Sequence, residues 1–229
     1  MASAFRSRIT LGLSLIPFFV LSSVVAGCAT RQTGKAQPSG FLEDYSQLQP
    51  GGEGQAQLVY INPNVDWKKY NAILIDTPQV YADSEATELS QADQKKLTDN
   101  LHDALVEALG KNYQIAQMPG PGVLRVRTAI TEAQGAKLAM NAVTGIVPQL
   151  RLLTMIGGMA TDTATFVGKC SAEGEVLDSA TGERLMAGVD QRAGTKDPRN
   201  MLNKWDDVDS AFTEWAERLR KRLESLRGS

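Results

Sequence analysis

Phe166-Val-Gly-Lys-Cys-Ser-Ala-Glu-Gly-Glu-Val-Leu-Asp178, Ser179-Ala-Thr-Gly-Glu183 and Arg184-Leu-Met-Ala-Gly-Val-Asp-Gln-Arg192 read together as a β-hairpin. On the first limb Phe166, Gly168, Cys170, Ala172, Gly174 and Val176 share one face, while Lys169, Glu173 and Glu175 share the other, the two-residue period of a strand. Asp178 to Glu183 supplies the turn residues. On the return limb Leu185, Ala187 and Val189 are expected to face a core, opposite Arg184, Asp190 and Arg192. Two expectations follow: a mixed, solvated charged face, and an inner face small enough for a helix to approach closely.

The segments around the hairpin supply the other elements. Leu124, Val126, Thr128 and Ile130 alternate with Arg125, Arg127, Ala129 and Thr131, so another half-buried strand is expected after the sharp turn at Met118-Pro-Gly-Pro-Gly122. Ile73-Leu-Ile75 is a short apolar run suited to the middle of a sheet, and Tyr113 to Gln117 a short strand. A helix starts at the Ser90-Gln-Ala-Asp93 cap, carries Leu97, Leu101, Ala104, Leu105, Ala108 and Leu109 at helical spacing, and stops at Gly110. The last helix has one apolar stripe, Trp205, Val208, Phe212, Trp215, Leu219, Leu223 and Leu226. Asp206, Asp207 and Asp209 near its start and Arg218, Arg220, Lys221, Arg222 and Arg227 toward its end match the helix dipole, a structural role for both charge clusters, with metal binding or anionic-lipid contact as the alternatives. The order points to an α+β fold, a two-layer sandwich of a mainly antiparallel sheet covered on one face by two amphipathic helices.

The amino terminus sets the compartment. Arg6 and Arg8, an apolar run from about Ile9 to Val25, and Val25-Ala-Gly-Cys28 have the layout of a secretory signal ending at a cysteine. This stretch resembles the lipobox of bacterial lipoproteins; the resemblance implies cleavage between Gly27 and Cys28, a diacylglyceryl group on the Cys28 sulfur and acylation of the new amino terminus. An uncleaved signal anchor and an ordinary cleaved signal are the alternatives. Three acyl chains would make the anchor permanent, since each buried methylene contributes about 0.8 kcal/mol. In the Gram-negative lipoproteins that this stretch resembles, the residue after the acylated cysteine helps decide sorting, and Ala29 is not the aspartate associated with inner-membrane retention; the resemblance therefore favours the outer membrane, facing the periplasm. Ala29 to Gly40 is polar and bears Gly and Pro, so residues 28–40 are expected to be a flexible tether reaching at most roughly 40 Å. A single α+β domain is expected over 41–229.

Composition narrows the function classes. Without residues 1–27 the chain keeps 22 basic and 26 acidic residues, a net charge of −4, with no basic excess for nucleic acid. If Cys28 is a thioether, Cys170 is the remaining cysteine, expected as a small buried hydrophobe. His102 is the one histidine, beside Leu101 on the first helix, and Cys/His zinc sites are excluded by count. Glu173 and Glu175, two apart on one strand face, are better suited to pairing with Arg125 and Arg127 than to acid–base chemistry. No nucleophile elbow, phosphate loop, dinucleotide fingerprint or calcium loop is present. No catalytic residue, metal site or cofactor is assigned; the covalent lipid on Cys28 is the sole attached group expected.

Residues 135–168 hold only Lys137, Arg151 and Asp162 as charges, with five glycines and the run Leu152-Leu-Thr-Met-Ile-Gly-Gly-Met-Ala160. Pro148 interrupts any continuous helix, so this Gly/Ala-rich insertion, at about 135–165, is expected to fold onto the core. The other reading makes Leu152, Leu153, Met155, Ile156 and Met159 a surface for an envelope partner, self-association or lipid.

Ser39-Gly-Phe-Leu-Glu-Asp-Tyr-Ser-Gln-Leu48, Tyr60-Ile-Asn-Pro63 with Trp67 and Tyr70, and Phe166-Val-Gly, Glu173-Gly-Glu-Val and Asp178-Ser-Ala-Thr-Gly-Glu183 resemble one bacterial lipoprotein family, the domain of unknown function DUF3313. The resemblance covers most of the chain after about Phe41. It implies fold unity and an envelope location and names no activity. The expectation is a lipid-anchored, non-enzymatic binding or assembly module at the periplasmic face; the alternative is a carrier or sensor of a small apolar ligand or lipid, held where Gly and Ala line a cavity.

Overall fold

The computed structural model describes residues 31–32, 34–81, 89–134, 169–193 and 205–228. In chain order the strands are β1 (Arg31–Gln32), β2 (Gln49–Pro50), β3 (Leu58–Ile61), β4 (Ala72–Ile75), β5 (Gln79–Val80), β6 (Gln114–Ile115), β7 (Val123–Gln134), β8 (Lys169–Asp178) and β9 (Arg184–Ala193); α1 is Gln91–Leu109 and α2 is Asp206–Gly228. Among the described residues the fold is α+β: two α-helices and one sheet ordered β2-β3-β9-β8-β7-β4-β6, with β1 on β9 and β5 on β7. The hairpin β8–β9 and its neighbours β7 and β3 are antiparallel, whereas β4 runs parallel to both β6 and β7, and β5 parallel to β7. The sheet is therefore mixed. The parallel part arises because the chain crosses through α1 between β4 and β6.

Local chemistry explains the helices. Ser90 Oγ accepts the Asp93 amide at 3.1 Å, capping α1 as its Ser-x-x-Asp pattern predicts. Leu97, Leu101, Leu105, Ala108 and Leu109 of α1 and Trp205, Val208, Phe212, Ala216 and Leu223 at and along α2 are buried in one cluster with Ile73, Leu124, Val126, Cys170 and Val176 of the sheet. Gly122, at φ +71°, lets the turn into β7 pass Lys69, whose carbonyl oxygen would lie 3.0 Å from a Cβ there.

The opposite face of the sheet is covered as well, which the charge pattern did not lead us to expect. Phe41, Leu42, Ala129, Ala187 and Val189 form a second buried cluster, with Tyr45, Leu48, Tyr60 and Tyr81 packed against it. Glu173 and Glu175 are 1% and 4% exposed rather than solvated. Residues 41–48 form tight turns that bring their polar groups to these acids. Ser39 N and the Tyr45 hydroxyl donate to Glu173 at 2.6 and 2.5 Å. Arg127 and Arg184 donate to Glu175 at 2.6 and 2.9 Å, while Arg184 also binds the Leu42 and Asp44 carbonyl oxygens. The family resemblance in this segment thus coincides with a structural cover. Arg125 pairs with Asp76 rather than with an acid of β8.

The return limb also departs from simple alternation. The ladder pairs Val176 with Met186 but Leu177 with Arg184, so Leu185 is the extra residue of a bulge. Leu185 accordingly joins the helix-side cluster, and Ala187 and Val189 the other. Asp190 and Arg192, expected on a solvated face, are 4% and 2% exposed.

The segment read as a free tether is docked from Arg31 onward. Arg31 and Gln32 pair with Ala193 and Arg192, Gln32 Nε2 donates to Asp190 Oδ1 at 2.7 Å and to the Gln55 carbonyl at 2.6 Å, and Ala36 N donates to Gln57 Oε1. Backbone pairing and a buried carboxylate hold a stretch whose composition alone suggested freedom. The signal segment, Gly27, Cys28 and the insertion at 135–165 lie outside the described residues.

Candidate functional site

A cavity of about 210 Å³ lies between the helices and the sheet. Its floor is made by Ala172, Gly174 and Val176 of β8 with Met186 and Gly188 of β9; Val59 and Ile61 of β3 form one side. Leu101 and Leu105 of α1 and Trp215 and Leu219 of α2 form the opposite wall. The cause is in the ladder: Gly174 and Gly188 stand directly opposite each other, so two adjacent floor positions carry no side chain. The apolar stripe of α2 is therefore only partly satisfied. Phe212 and Leu223 are completely buried, whereas Trp215 and Leu219 are half-buried over the glycines. Were it sealed and empty, a void of this size would cost on the order of 5 kcal/mol at about 24 cal/mol per Å³. It instead opens to the surface, where exposed Gly54 marks the rim.

Polar groups at the cavity fall into two sets. The acids are already saturated. Asp190 accepts from Gln32 Nε2, Gln57 N at 3.2 Å, Arg192 Nε at 2.9 Å and Trp215 Nε1 at 2.8 Å; Glu173 and Glu175 border the cavity by their backbone, and their carboxylates are held on the other face by the donors described above. The indole bond also fixes the Trp215 ring over the floor. On α2, Arg218 and Arg222 stand one turn apart beside the cavity. Arg218 binds Glu214 at 2.6 Å and the Gly54 carbonyl at 2.9 Å. Arg222 makes no hydrogen bond or ion pair among the described residues. The Thr128 hydroxyl, on the β7 side of the cavity, is buried and likewise finds no hydrogen-bond partner among the described residues.

The other candidate residues have structural positions. Cys170 is buried beneath the helices, and burial, reinforced by Glu132 and Asp209, pushes its thiol well above the usual range, which keeps it a protonated thiol. The His102 side chain is 39% exposed, 3.7 Å from Asp103. At the α2 start, burial raises the Asp209 carboxyl against an opposing hydrogen bond from Asn100. Among the described residues no cluster of three potential ligands could hold a metal ion, and no helix is long and apolar enough to cross a membrane. Leu152, Leu153, Met155, Ile156 and Met159 lie outside the described residues. Of the cavity, the sequence announced Gly174 and Ala172 as small inner positions; the Gly188 partner and the unpaired Arg222 are not legible without register and packing.

A mixed sheet, two α-helices and an apolar, cation-edged cavity among the described residues define an α+β fold. The chain belongs to the family of proteins of unknown function DUF3313, whose profile matches residues 37–219. It is 28% identical over 179 residues to "Uncharacterized lipoprotein YdcL" of Escherichia coli K12, covering 77% of this chain and 79% of that protein, with the same figures for the O157:H7 protein. Among solved structures it is similar to the PelC dodecamer of Paraburkholderia phytofirmans, at 9% identity and a TM-score of 0.39 over 71% of this chain and 94% of that one. Protein XCC0632 of Xanthomonas campestris is similar at 12% identity and a TM-score of 0.37, over 72% and 93%.

Proposed function

We propose that this protein is a lipid-anchored, non-enzymatic binding module of the outer membrane, facing the periplasm, whose cavity takes up a small apolar ligand. Cys28 carries the anchor, and α1 and α2 are the outer layer of a two-layer sandwich with the cavity between the layers. The observation that carries the reading is the glycine pair Gly174–Gly188 beneath the half-buried Trp215 and Leu219: a folded core leaves apolar surface uncovered where a ligand would cover it. Relatives named as lipoproteins, together with a signal that ends at a cysteine, support the location. Native mass spectrometry of the full-length acylated protein, released gently from membranes, is expected to show a non-covalent small-molecule mass beyond the covalent lipid. Its absence, together with failure of an environment-sensitive apolar dye to bind, would remove the ligand-binding reading.

One observation favours a second reading, docking of an envelope partner or a second copy. Gln134 pairs with Lys169, Lys169 with Ala193, and Ala193 with Arg31, so the chain toward Cys28 and the charge-poor 135–168 segment both join the domain at one end of the sheet. An assembly surface carrying Leu152, Leu153, Met155, Ile156 and Met159 would then connect beside the anchor. Sedimentation of the full-length protein tests it: a monomer whose mass is unchanged by charged substitutions at Leu152 and Ile156 speaks against self-association.

A further inference from the structure

The cavity has a specific electrostatic gap. Asp190, the acid whose side chain meets the helix side, is matched by four donors, and the Glu173 and Glu175 carboxylates lie on the opposite face of the sheet with donors of their own. Arg218 is likewise paired. Arg222, half-buried and four residues further along α2, is the cavity-lining cation with no partner among the described residues. Arg222 lines the cavity together with the wall residues Trp215 and Leu219 and a floor without side chains at Gly174 and Gly188. The volume, about 210 Å³, is below the roughly 300–1,000 Å³ of sites for drug-sized ligands, so a slender group fits better than a fused ring system. An apolar space bordered by one unpaired guanidinium calls for a chain with a single anionic end, because guanidinium binds a carboxylate or phosphate through two parallel hydrogen bonds.

We propose that the cavity binds one acyl chain bearing an anionic head, a carboxylate or a phosphate, with the chain over the Gly174–Gly188 pair against Trp215 and Leu219 and the head on Arg222. This rests on the ligand-binding reading above and adds the chemical class to it. The head keeps contact with water at the rim while the chain is withdrawn from it. No bond is made or broken; the step is partition of a chain from water or membrane into a preformed apolar space.

Full-length acylated protein held in amphipol is titrated with three ten-carbon probes brominated at the far end of the chain: the carboxylic acid, the phosphate monoester and the alcohol. Bromine quenches tryptophan on contact, and the quench lost in Trp215→Phe reports the cavity. The acid or the phosphate is expected to half-quench at about tenfold lower concentration than the alcohol, the step of one charge-assisted interaction. Arg222→Gln is expected to abolish that preference and leave the alcohol unchanged. The ratio of acid to phosphate then separates a fatty-acid head from a phospholipid-type head. Equal quenching by all three probes, or a preference that survives Arg222→Gln, overturns the anionic class while leaving the apolar cavity a binding site. No quench that depends on Trp215 overturns both. Gly188→Ala guards against surface adsorption. A Cβ there sits 3.5 Å from Ala56 Cβ and from the Leu58 carbonyl oxygen, ordinary contact that the fold accommodates, and weaker quenching by all three probes is the expected result.

Discussion

Tyr70 donates its hydroxyl hydrogen to Asp178 Oδ2 at 2.7 Å, fastening the turn of the β8–β9 hairpin to the segment that enters β4. Tyr70 is completely buried and Asp178 7% exposed; Asp178 also accepts the Ala180 and Thr181 amides and lies 3.3 Å from Lys69. Tyr70→Phe removes a donor from a buried carboxylate and is expected to cost about 1–3 kcal/mol. Urea denaturation with an unchanged slope and a lower midpoint would show it; an unchanged midpoint would mean the bond contributes nothing net.

The same pair bounds stability at both ends of the pH scale. Burial alone would raise Asp178, but hydrogen bonds from Tyr70, from the Thr181 and Ala180 amides and from Lys69 outweigh it and bring the carboxyl to about 2 from its ordinary 3.8. A depressed acid stabilises the fold above the unfolded value, so this contribution is full above pH 3.8 and lost as pH falls from there through 2. Tyr70 is pushed up to about 12 from 10, first by burial and then by Asp178. Its contribution is full below pH 10 and lost as pH rises toward 12. Thermal melts across pH are expected to fall in both windows, and Tyr70→Phe is expected to remove the Tyr70 part of the alkaline fall and to shrink the acid one, since the Thr181 and Ala180 amides and Lys69 still hold Asp178.

Tyr45 and Glu173 hold the second cover. Tyr45→Phe deprives the 1%-exposed Glu173 of one of its two donors and is expected to destabilise by about 1.5–3 kcal/mol. Hydrogen exchange offers a local readout: amides of residues 39–48 are expected to exchange faster than those of α1. Uniform acceleration across the domain would show that this cover does not open independently.

Asp190 links the amino-terminal strand to the core. Asp190→Ala removes one of the two acids that hold Arg192, 2% exposed, leaving Glu214 at 2.8 Å, and frees Gln32 and Trp215; a loss of about 1–3 kcal/mol is expected. Asp190→Asn preserves shape and part of the bonding and is expected to cost less. With β1 docked and the proposed anchor at Cys28, only residues 28–30 separate the lipid from the domain, a reach of about 10 Å. Energy transfer from a dye on Met118→Cys, an exposed turn position, to labelled lipid is expected to weaken in Asp190→Asn if β1 is released.

Phe212 is completely buried in the cluster shared by α2 and the sheet. Phe212→Ala is expected to cost about 3–5 kcal/mol by denaturant unfolding, whereas truncating half-buried Leu219 at the cavity wall should cost clearly less, since part of its surface is already uncovered. Similar losses at the two positions would mean that the cavity is closed in solution.

Periodicity revealed the elements because each buries one side. The steps between Trp205 and Leu226 located α2, the Ser90 cap located the start of α1, and alternation in 124–130 and 170–176 located two strands. Charge was a poorer guide to exposure. Glu173, Glu175, Asp190 and Arg192 look like a solvated pattern in one dimension, yet each is buried, because folding supplies the hydrogen bonds that permit it, some from far along the chain: Tyr45 lies 128 residues from Glu173, and Gln32 lies 158 from Asp190. The site was partly visible as small residues on one strand. Its other half, Gly188 opposite Gly174, depends on a register that a bulge at Leu185 shifts by one residue.

Local residue order was enough to point to a lipoprotein and to place the main elements: a signal ending at a cysteine is read along the chain, and helices and strands declare themselves through short periods. Folding settled what covers the charged face, that β1 is docked on β9, and where apolar surface is left unfilled. Those outcomes depend on pairings between residues distant in the chain, and on space left between layers, which no local pattern encodes.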